Sequence, residues 1–136
     1  MSDISITAAS VLKTSDTSTA NGIAGETITA GMPVYINGSD SNKLWKCIDT
    51  SAAAAACVGV ALHASLAGQP LTYATSGSVT YSSVLTVGAP LFVSDNAGGL
   101  RPLGDAGTGD YATLVGIPSS TTNLILHIKA TGATVA

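Results

Sequence analysis

Short runs that contain hydrophobic positions recur along the chain and are separated by turn residues. Residues 3–12 alternate apolar and polar side chains, which predicts a strand. Residues 13–22 are small and polar, which predicts a loop or extended linker. The remainder predicts about a dozen short strands with turn signals roughly every 8–12 residues, a pattern typical of an all-β sandwich or barrel.

The same pattern occurs twice along the chain. The segment "ITAGMPVYINGSDSNKL" (residues 28–44) is matched 57 residues later by "LTVGAPLFVSDNAGGL" (residues 85–100). Further matches join residues 58–60 to 115–117, and "LTYATSG" (71–77) to "LHIKATG" (126–132), the latter with a spacing of 55 residues. Six glycines and prolines recur at equivalent places and predict equivalent turns or bulges: Gly31, Pro33, Gly59, Gly88, Pro90 and Gly116.

The repeat determines the expected domain organisation. Residues 1–22 are expected to form an N-terminal strand or arm with its linker, and residues 23–136 a single compact β domain. The two copies cover about residues 26–77 and 83–132. Each half is expected to cover the apolar face of the other.

Local signals add detail to the first copy. Residues 26–29 predict a short strand, and Pro33 predicts the start of another because proline lacks a backbone donor. Asn37-Gly38 predicts a tight hairpin turn because both residues tolerate positive φ. The run "DTSAAAAAC" (49–57) is compatible with a helical turn.

Composition narrows the class of protein. Charged residues make up 10% of the chain, the net charge is −3, and the five basic residues form no patch, so nucleic acid is not an expected partner. No apolar stretch reaches the roughly 18 residues that span a bilayer, and residues 1–20 lack a signal-peptide pattern. We therefore expect no membrane association and synthesis in a cytoplasm.

Catalytic and metal-binding patterns are not found in the sequence. His63 and His127 have no neighbouring ligands at metal-binding spacing, and the turn "SDNAGG" (94–99) lacks the later glutamate of calcium loops. We expect no enzyme activity, no metal, no cofactor and no small-molecule substrate. Cys47 and Cys57 are expected to be free, buried thiols because a reducing cytoplasm disfavours disulfides.

The N-terminal segment lies outside the repeat and carries four apolar side chains that are candidate contacts between subunits: Ile4, Ile6, Val11 and Leu12. A strand outside the repeated body needs a partner edge, which its own body or a neighbouring subunit could supply. If a neighbour supplies the edge, deletion of residues 2–12 should leave the body folded and weaken assembly.

Three blocks of the sequence carry a resemblance to a known family. "AGETITAGMPVYI" (24–36), "CVGVALHASLAGQPLTYATSGSVT" (57–80) and "LTVGAPLFVSDNAGGLRP" (85–102) together resemble the capsid decoration, or cement, proteins of tailed double-stranded DNA bacteriophages. The resemblance covers about residues 22–132 and rests on structural glycines and prolines.

The resemblance implies a structural protein of the virion without catalytic activity. Such a protein would be made in the host bacterial cytoplasm and bind the outer capsid surface, often as a homotrimer. It would stabilise the capsid by clamping neighbouring subunits of the major capsid protein. Some relatives reach an adjacent subunit with an N-terminal arm, for which residues 2–20 are the counterpart here.

A second hypothesis comes from a different class of protein. The chain would be a carbohydrate- or receptor-binding β-module of a phage tail or cell surface. Sugar sites favour exposed aromatic platforms, whereas this chain has one tryptophan, Trp45, and four tyrosines that fall mostly within predicted strands. The aromatic content therefore favours the capsid-stabilising hypothesis.

Overall fold

The structure is a computed structural model that describes residues 3–4, 6–81, 85–102 and 109–134. The regular secondary structure of these residues is almost entirely β, which confirms the predicted all-β fold class. Short 3₁₀ turns occur at Ala8–Ser10 and Gly38–Asp40. The strands in the described part are β1 (Leu12–Lys13), β2 (Ser18–Ile23), β3 (Pro33–Asn37), β4 (Lys43–Lys46), β5 (Gly59–Ala61), β6 (Pro70–Thr80), β7 (Leu91–Val93), β8 (Leu100–Pro102), β9 (Tyr111–Pro118) and β10 (Asn123–Thr134).

Most of the strands form one antiparallel path in the order β4-β3-β5-β6-β10-β9-β7-β8. The path has the same pattern when it is followed from either end: a hairpin, a strand beside the inner hairpin strand, then a long central strand. The registers agree as well, because Val34 lies opposite Gly59 and Leu91 lies opposite Gly116. The sequence repeat is therefore present in the backbone pairing.

The sheet is strongly curled and forms a half-barrel. Strand β6 contributes to two parts of it, since residues 70–76 pair with β2 and residues 77–80 pair with β1 and β10. Gly77 lies at the transition with a φ of +84°. Glycine adopts this left-handed conformation without the penalty that a side chain would cause.

The main core cluster draws side chains from both halves. Val60 and Ala74 from the first half pack with Val93, Val115 and Leu124 from the second, and all five are fully buried. Each half therefore covers apolar surface of the other. A second, smaller cluster lies within the first half and comprises Ala24, Ile28, Val34, Leu44, Ala61, Leu71 and Tyr73.

Two predictions for the N-terminal segment are wrong, the second of them in part. In the described part of residues 3–12, a 3₁₀ turn replaces the expected strand, and strand structure begins at Leu12. The prediction of a loop or extended linker for residues 13–22 holds only for the turn at residues 14–17, because Ser18–Ile23 forms β2 and pairs along β6. The expected domain boundary at residue 22 therefore falls inside a strand.

The local predictions for the first copy are correct in part. Residues 26–29 form only an isolated bridge between Ile28 and Ser65 instead of a strand. The turn after β3 has its positive φ values at Ser41 and Asn42, because Asn37 starts a 3₁₀ turn by accepting a hydrogen bond from the backbone N–H of Ser39. The alanine-rich run does make one helical turn, between residues 51 and 55.

The match between residues 71–77 and 126–132 does not extend to the strand pairing. Ala61 faces Tyr73 on β6, whereas its counterpart Pro118 faces Leu124 on β10. The hairpin turn of the second copy is shorter, so β10 pairs from its start. The two long central strands are therefore equivalent in position but not in register.

Candidate functional site

The described part of the N-terminal segment, which we define as residues 3–4 and 6–26, lies against the body of its own chain. The backbone N–H of Ile4 donates to the carbonyl of Leu100 at 2.9 Å. The Asp3 carboxylate accepts from the Ser94 hydroxyl at 2.6 Å and from the Asn96 amide at 3.2 Å. The start of the segment is thus attached to the second half.

Two further candidate contacts pack on the core. Val11 is 3% exposed and belongs to the main core cluster, and Ile6 packs against that cluster. A Cβ atom at Gly31 would lie 2.6 Å from Cγ2 of Ile6. Leu12, in contrast, is 61% exposed.

Residues 14–17 pass over strand β6 at Gly77. A Cβ atom at Gly77 would overlap the backbone of Asp16, so only glycine fits beneath this crossing. The Asp16 carboxylate accepts hydrogen bonds from the hydroxyls of Thr14 and Ser78. These hydrogen bonds favour the ionised carboxylate and lower the pKa of Asp16.

The segment also supplies equivalent hydrogen bonds to both outer strands of the sheet. Gly25 N–H donates to the Leu44 carbonyl of β4 at 2.8 Å, as Ile4 N–H does to the Leu100 carbonyl of β8. Leu44 and Leu100 are matched positions of the repeat. Of the four candidate contacts, Ile4, Ile6 and Val11 are therefore engaged within the chain, and Leu12 is left outward-facing.

Two of the repeated glycines occupy equivalent close approaches. A Cβ atom at Gly59 would overlap the Ala74 carbonyl oxygen, and one at Gly116 would lie 2.5 Å from the Ile125 carbonyl oxygen. Gly31 and Gly88 share positive φ values of +92° and +77°. Pro33 begins β3, while Pro90 directly precedes β7.

A buried charged cluster joins the two halves. Arg101 on β8 contacts Asp49 of the first half, and it also contacts Asp110 and Asp95 of the second. Its Nη2 atom donates to Oδ2 of Asp49 and, at 2.9 Å, to Oδ2 of Asp110. The side chain of Asp49 is 0% exposed, and its Oδ1 atom has no hydrogen-bond partner.

This arrangement places three carboxylates around one guanidinium group. Burial raises the pKa of Asp49 to about 6. The Arg101 guanidinium opposes this rise, and the neighbouring Asp110 and Asp95 carboxylates add to it. The charged cluster is attached to the first half through the backbone as well, since Asp49 N–H donates to the Ser94 carbonyl at 3.1 Å.

The position equivalent to Arg101 in the first copy is Trp45. Trp45 lies opposite Tyr35, as Arg101 lies opposite Phe92. The indole Nε1 of Trp45 donates to Asp40 at 2.9 Å, within the same hairpin. The indole is half-buried, and Gly25 leaves the space that it needs.

The two cysteines are free and buried, as predicted. Burial raises the pKa of the Cys47 thiol, and its hydrogen bond with Cys57 acts in the same direction. Both cysteines belong to the main core cluster, where buried thiols pack as small apolar side chains.

An apolar surface lies at the turn between β5 and β6. We call it the hairpin tip and define it as residues 64–70 together with Ile23. Leu66 is 57% exposed and Ile23 is 41% exposed, and Pro70 beside Ile23 is also exposed. The hairpin tip carries no charged side chain.

The hairpin tip is held by a dense set of hydrogen bonds. Gly68 N–H donates to the Ala24 carbonyl at 2.7 Å, and Ala24 N–H donates to the Gln69 carbonyl at 2.9 Å. Ser65 is buried and exchanges two backbone hydrogen bonds with Ile28. Leu66 is therefore presented on a fixed turn, which lowers the entropy lost when it binds a partner.

The equivalent turn of the second copy is polar. Residues 119–123 read "SSTTN", and the Ser120 hydroxyl accepts hydrogen bonds from the backbone N–H groups of Thr122 and Asn123. In the described part of the chain, the other large apolar side chains that are exposed lie elsewhere in the fold: Leu12, Ile36, Val87 and Ile125. Only the first copy therefore has an apolar hairpin tip.

Within the described residues, no group of three or more potential ligands is placed to hold a metal ion, and no pocket is found. The His63 side chain forms a hydrogen bond within the β5–β6 hairpin, in which its Nε2 atom accepts from Thr72 N–H at 3.0 Å. Among the same residues, no helix has the length and apolar character needed to cross a membrane.

No protein-family model matches the chain, and no curated protein matches it.

Sequence reasoning missed both the charged cluster and the hairpin tip. Asp49 and Arg101 are 52 residues apart, and nothing local to either residue indicates that they meet. The hairpin tip did have a signal. "SLAG" places a leucine among turn residues, where no strand pattern accounts for it, and the equivalent turn lacks it.

Proposed function

We propose that the protein is a structural virion component that binds the outer surface of a phage capsid and stabilises it by bridging neighbouring capsid subunits. The proposal rests first on the sequence blocks that resemble capsid decoration proteins. The structural observation that supports it best is the hairpin tip, in which Leu66 is exposed on a rigid, uncharged turn. An exposed leucine on a rigid turn can be buried against a partner at little cost in conformational entropy, and its burial removes apolar surface from water.

The mechanism in this proposal is added interface area. Leu66 and Ile23 would enter an apolar depression between capsid subunits, while the curled sheet keeps the hairpin tip in a fixed orientation. The proposal includes assembly as a homotrimer, which would present three such tips. Once one tip binds, the others bind intramolecularly, so a modest contact per tip becomes strong attachment.

The N-terminal segment has a different role in this proposal from the one implied by the resemblance. Its apolar side chains Ile4, Ile6 and Val11 pack on their own body, so they are not available as an arm in the folded chain. The capsid contact is therefore assigned to the hairpin tip. Leu12, which stays exposed, is the remaining N-terminal candidate for a contact with a neighbour.

The test is co-sedimentation with phage capsids that lack the protein, followed by electron microscopy of the decorated particles. The wild type should bind and raise the temperature at which the capsids break open. Leu66→Ser should weaken binding about tenfold or more, because a buried leucine contributes roughly 1.5–3 kcal/mol. Val87→Ser is the matched control, since Val87 is 60% exposed in the second half.

The possible outcomes distinguish a test of capsid binding itself from a test of the hairpin tip as the contact surface. Loss of binding in Val87→Ser with normal binding in Leu66→Ser would move the contact to the second half and leave the function standing. Failure of the wild type to bind any capsid would contradict the function. Binding to immobilised glycans, abolished by Trp45→Ala, would support the carbohydrate-binding alternative instead.

A further inference from the structure

The contact between the two halves contains more acid than base. Asp49, Asp95 and Asp110 surround Arg101, whose side chain is only 4% exposed. If all four groups were ionised, the cluster would carry a net charge of −2 in a largely buried contact. Because the three carboxylates surround one guanidinium group, their mutual repulsion disfavours the simultaneous ionisation of all three.

The geometry indicates which carboxyl group is best placed to hold a proton. Asp49 and Asp110 share one donor atom, Nη2 of Arg101, through their Oδ2 atoms. The Oδ1 atom of Asp49 is buried and has no hydrogen-bond partner, whereas Asp95 is 61% exposed and its charge is hydrated. Protonation of Asp49 removes a buried negative charge, and the guanidinium keeps its contacts with the carboxylates of Asp95 and Asp110.

We propose that the charged cluster is a proton-binding site, in which Asp49 takes up one proton from solvent as the pH falls from neutral to mildly acidic values. The proton binds to Asp49, and Arg101 stays paired with Asp110 and Asp95. The contact between the halves is thereby strengthened on acidification. This response is opposite to that of an ordinary ion pair, which weakens when its carboxylate is protonated.

Among the described residues, the charged groups at or beside the site come from several parts of the fold. Asp49 follows β4, Asp95 lies in the turn between β7 and β8, and Arg101 lies on β8. Asp110 directly precedes β9. Asp3 of the N-terminal segment faces the same turn, because it shares the Ser94 hydroxyl with Asp95.

The sign of the effect on stability follows from linkage. The folded protein binds the proton as the pH falls through about 6, whereas an unfolded chain binds it only near pH 4. Between these values the folded state holds more protons than the unfolded state, so acidification favours folding. The gain in folding stability from Asp49 is complete below the pKa that this side chain has in the unfolded chain. It is lost as the pH rises through about 6.

The direct test is a carbon-13 NMR titration of the aspartate side chains in the full-length wild type. The Asp49 carboxyl resonance should titrate with a midpoint near pH 6, well above the ordinary value near 4. A midpoint at or below 4 would overturn the proposal. This measurement needs no variant, so it decides the question even if substitutions at Asp49 prevent folding.

The second measurement compares urea unfolding of the wild type and Asp49→Asn at pH 7 and pH 4. Relative to the variant, the wild type should have its unfolding equilibrium constant reduced by roughly 50-fold on acidification. Asp40→Asn is the matched control, because Asp40 bonds to Trp45 at the equivalent hairpin and lies outside the charged cluster. Parallel responses of the wild type and Asp49→Asn to pH would contradict the proposal.

Discussion

The two halves of the molecule share their backbone arrangement and differ in the side chains built on it. Val34 and Gly59 in the first half have the same relation as Leu91 and Gly116 in the second. The carbonyls of the matched leucines each receive an N–H from the N-terminal segment. Arg101, in contrast, replaces Trp45 and joins the halves, where the tryptophan stays within its own hairpin.

This difference shows what the repeated glycines and prolines determine. They specify where the chain turns and where strands come close, because few other residues fit those backbone positions. The side chains between them are free to serve different purposes. One copy has gained an apolar hairpin tip and a core cluster of its own, and the other has gained a buried cation.

Among the substitutions that test this comparison of the two halves, those in the N-terminal segment should cause the largest loss of folding stability. Replacing Ile4, Ile6 and Val11 together by serine should destabilise the fold by about 5 kcal/mol, because one fully buried and two partly buried side chains lose their apolar contacts. Thermal unfolding followed by circular dichroism is the measurement. Leu12→Ser is the matched control and should change stability by less than about 0.5 kcal/mol.

This result would also decide the deletion of residues 2–12. The sequence alone suggested a folded, assembly-deficient body, whereas the structure predicts a body that has lost part of its core. If the triple variant melts like the wild type, the packing of the segment on its own chain is wrong, and an exchange with a neighbouring subunit becomes the better explanation.

The next effect comes from the equivalent residues Arg101 and Trp45. Arg101→Met should cost about 4 kcal/mol, because it leaves the buried Asp49 carboxylate without its cation. Trp45→Phe should cost about 1 kcal/mol, since it removes one hydrogen bond from a half-buried ring. Urea unfolding at pH 7 measures both, and equal losses would show that the two positions contribute in the same way.

The matched glycines should give equal effects. Gly59→Ala and Gly116→Ala should each cost about 3 kcal/mol, because the added methyl group meets a backbone carbonyl that cannot move without disturbing a neighbouring strand. Gly38→Ala is the control, since the nearest atom there is 3.8 Å away and the backbone is not left-handed. A difference above about 1 kcal/mol between the two variants would contradict the equivalence of the halves.

Much of the repeated body could be predicted from the sequence. Strands β3, β4, β7 and β8 lie where the turn residues of the two hairpins predict them. Strand β2 could not be predicted in this way, because "STANGI" has little strand propensity. It is a strand because it pairs along β6, and Gly22 lets Leu44 approach closely.

The candidate site was less predictable than the fold, for a physical reason. The alternation of Ile4 and Ile6 indicates that these side chains are buried, but it does not indicate which surface covers them. The charged cluster depends on a contact between the halves, and a contact between residues far apart in sequence leaves no local pattern.

The smallest expected difference in stability is between alanine substitutions at two matched glycines, only one of which lies beneath the N-terminal segment. Gly31 and Gly88 are matched and both have positive φ, so an alanine is strained at either position by about 1 kcal/mol. At Gly88 a Cβ atom meets nothing within 4 Å, so Gly88→Ala should cost only this strain. At Gly31 the methyl group would also press on Ile6 and Val11, which raises the expected cost to about 2–3 kcal/mol. Thermal unfolding of the two single variants measures the difference, and equal costs would mean that the segment does not pack over Gly31.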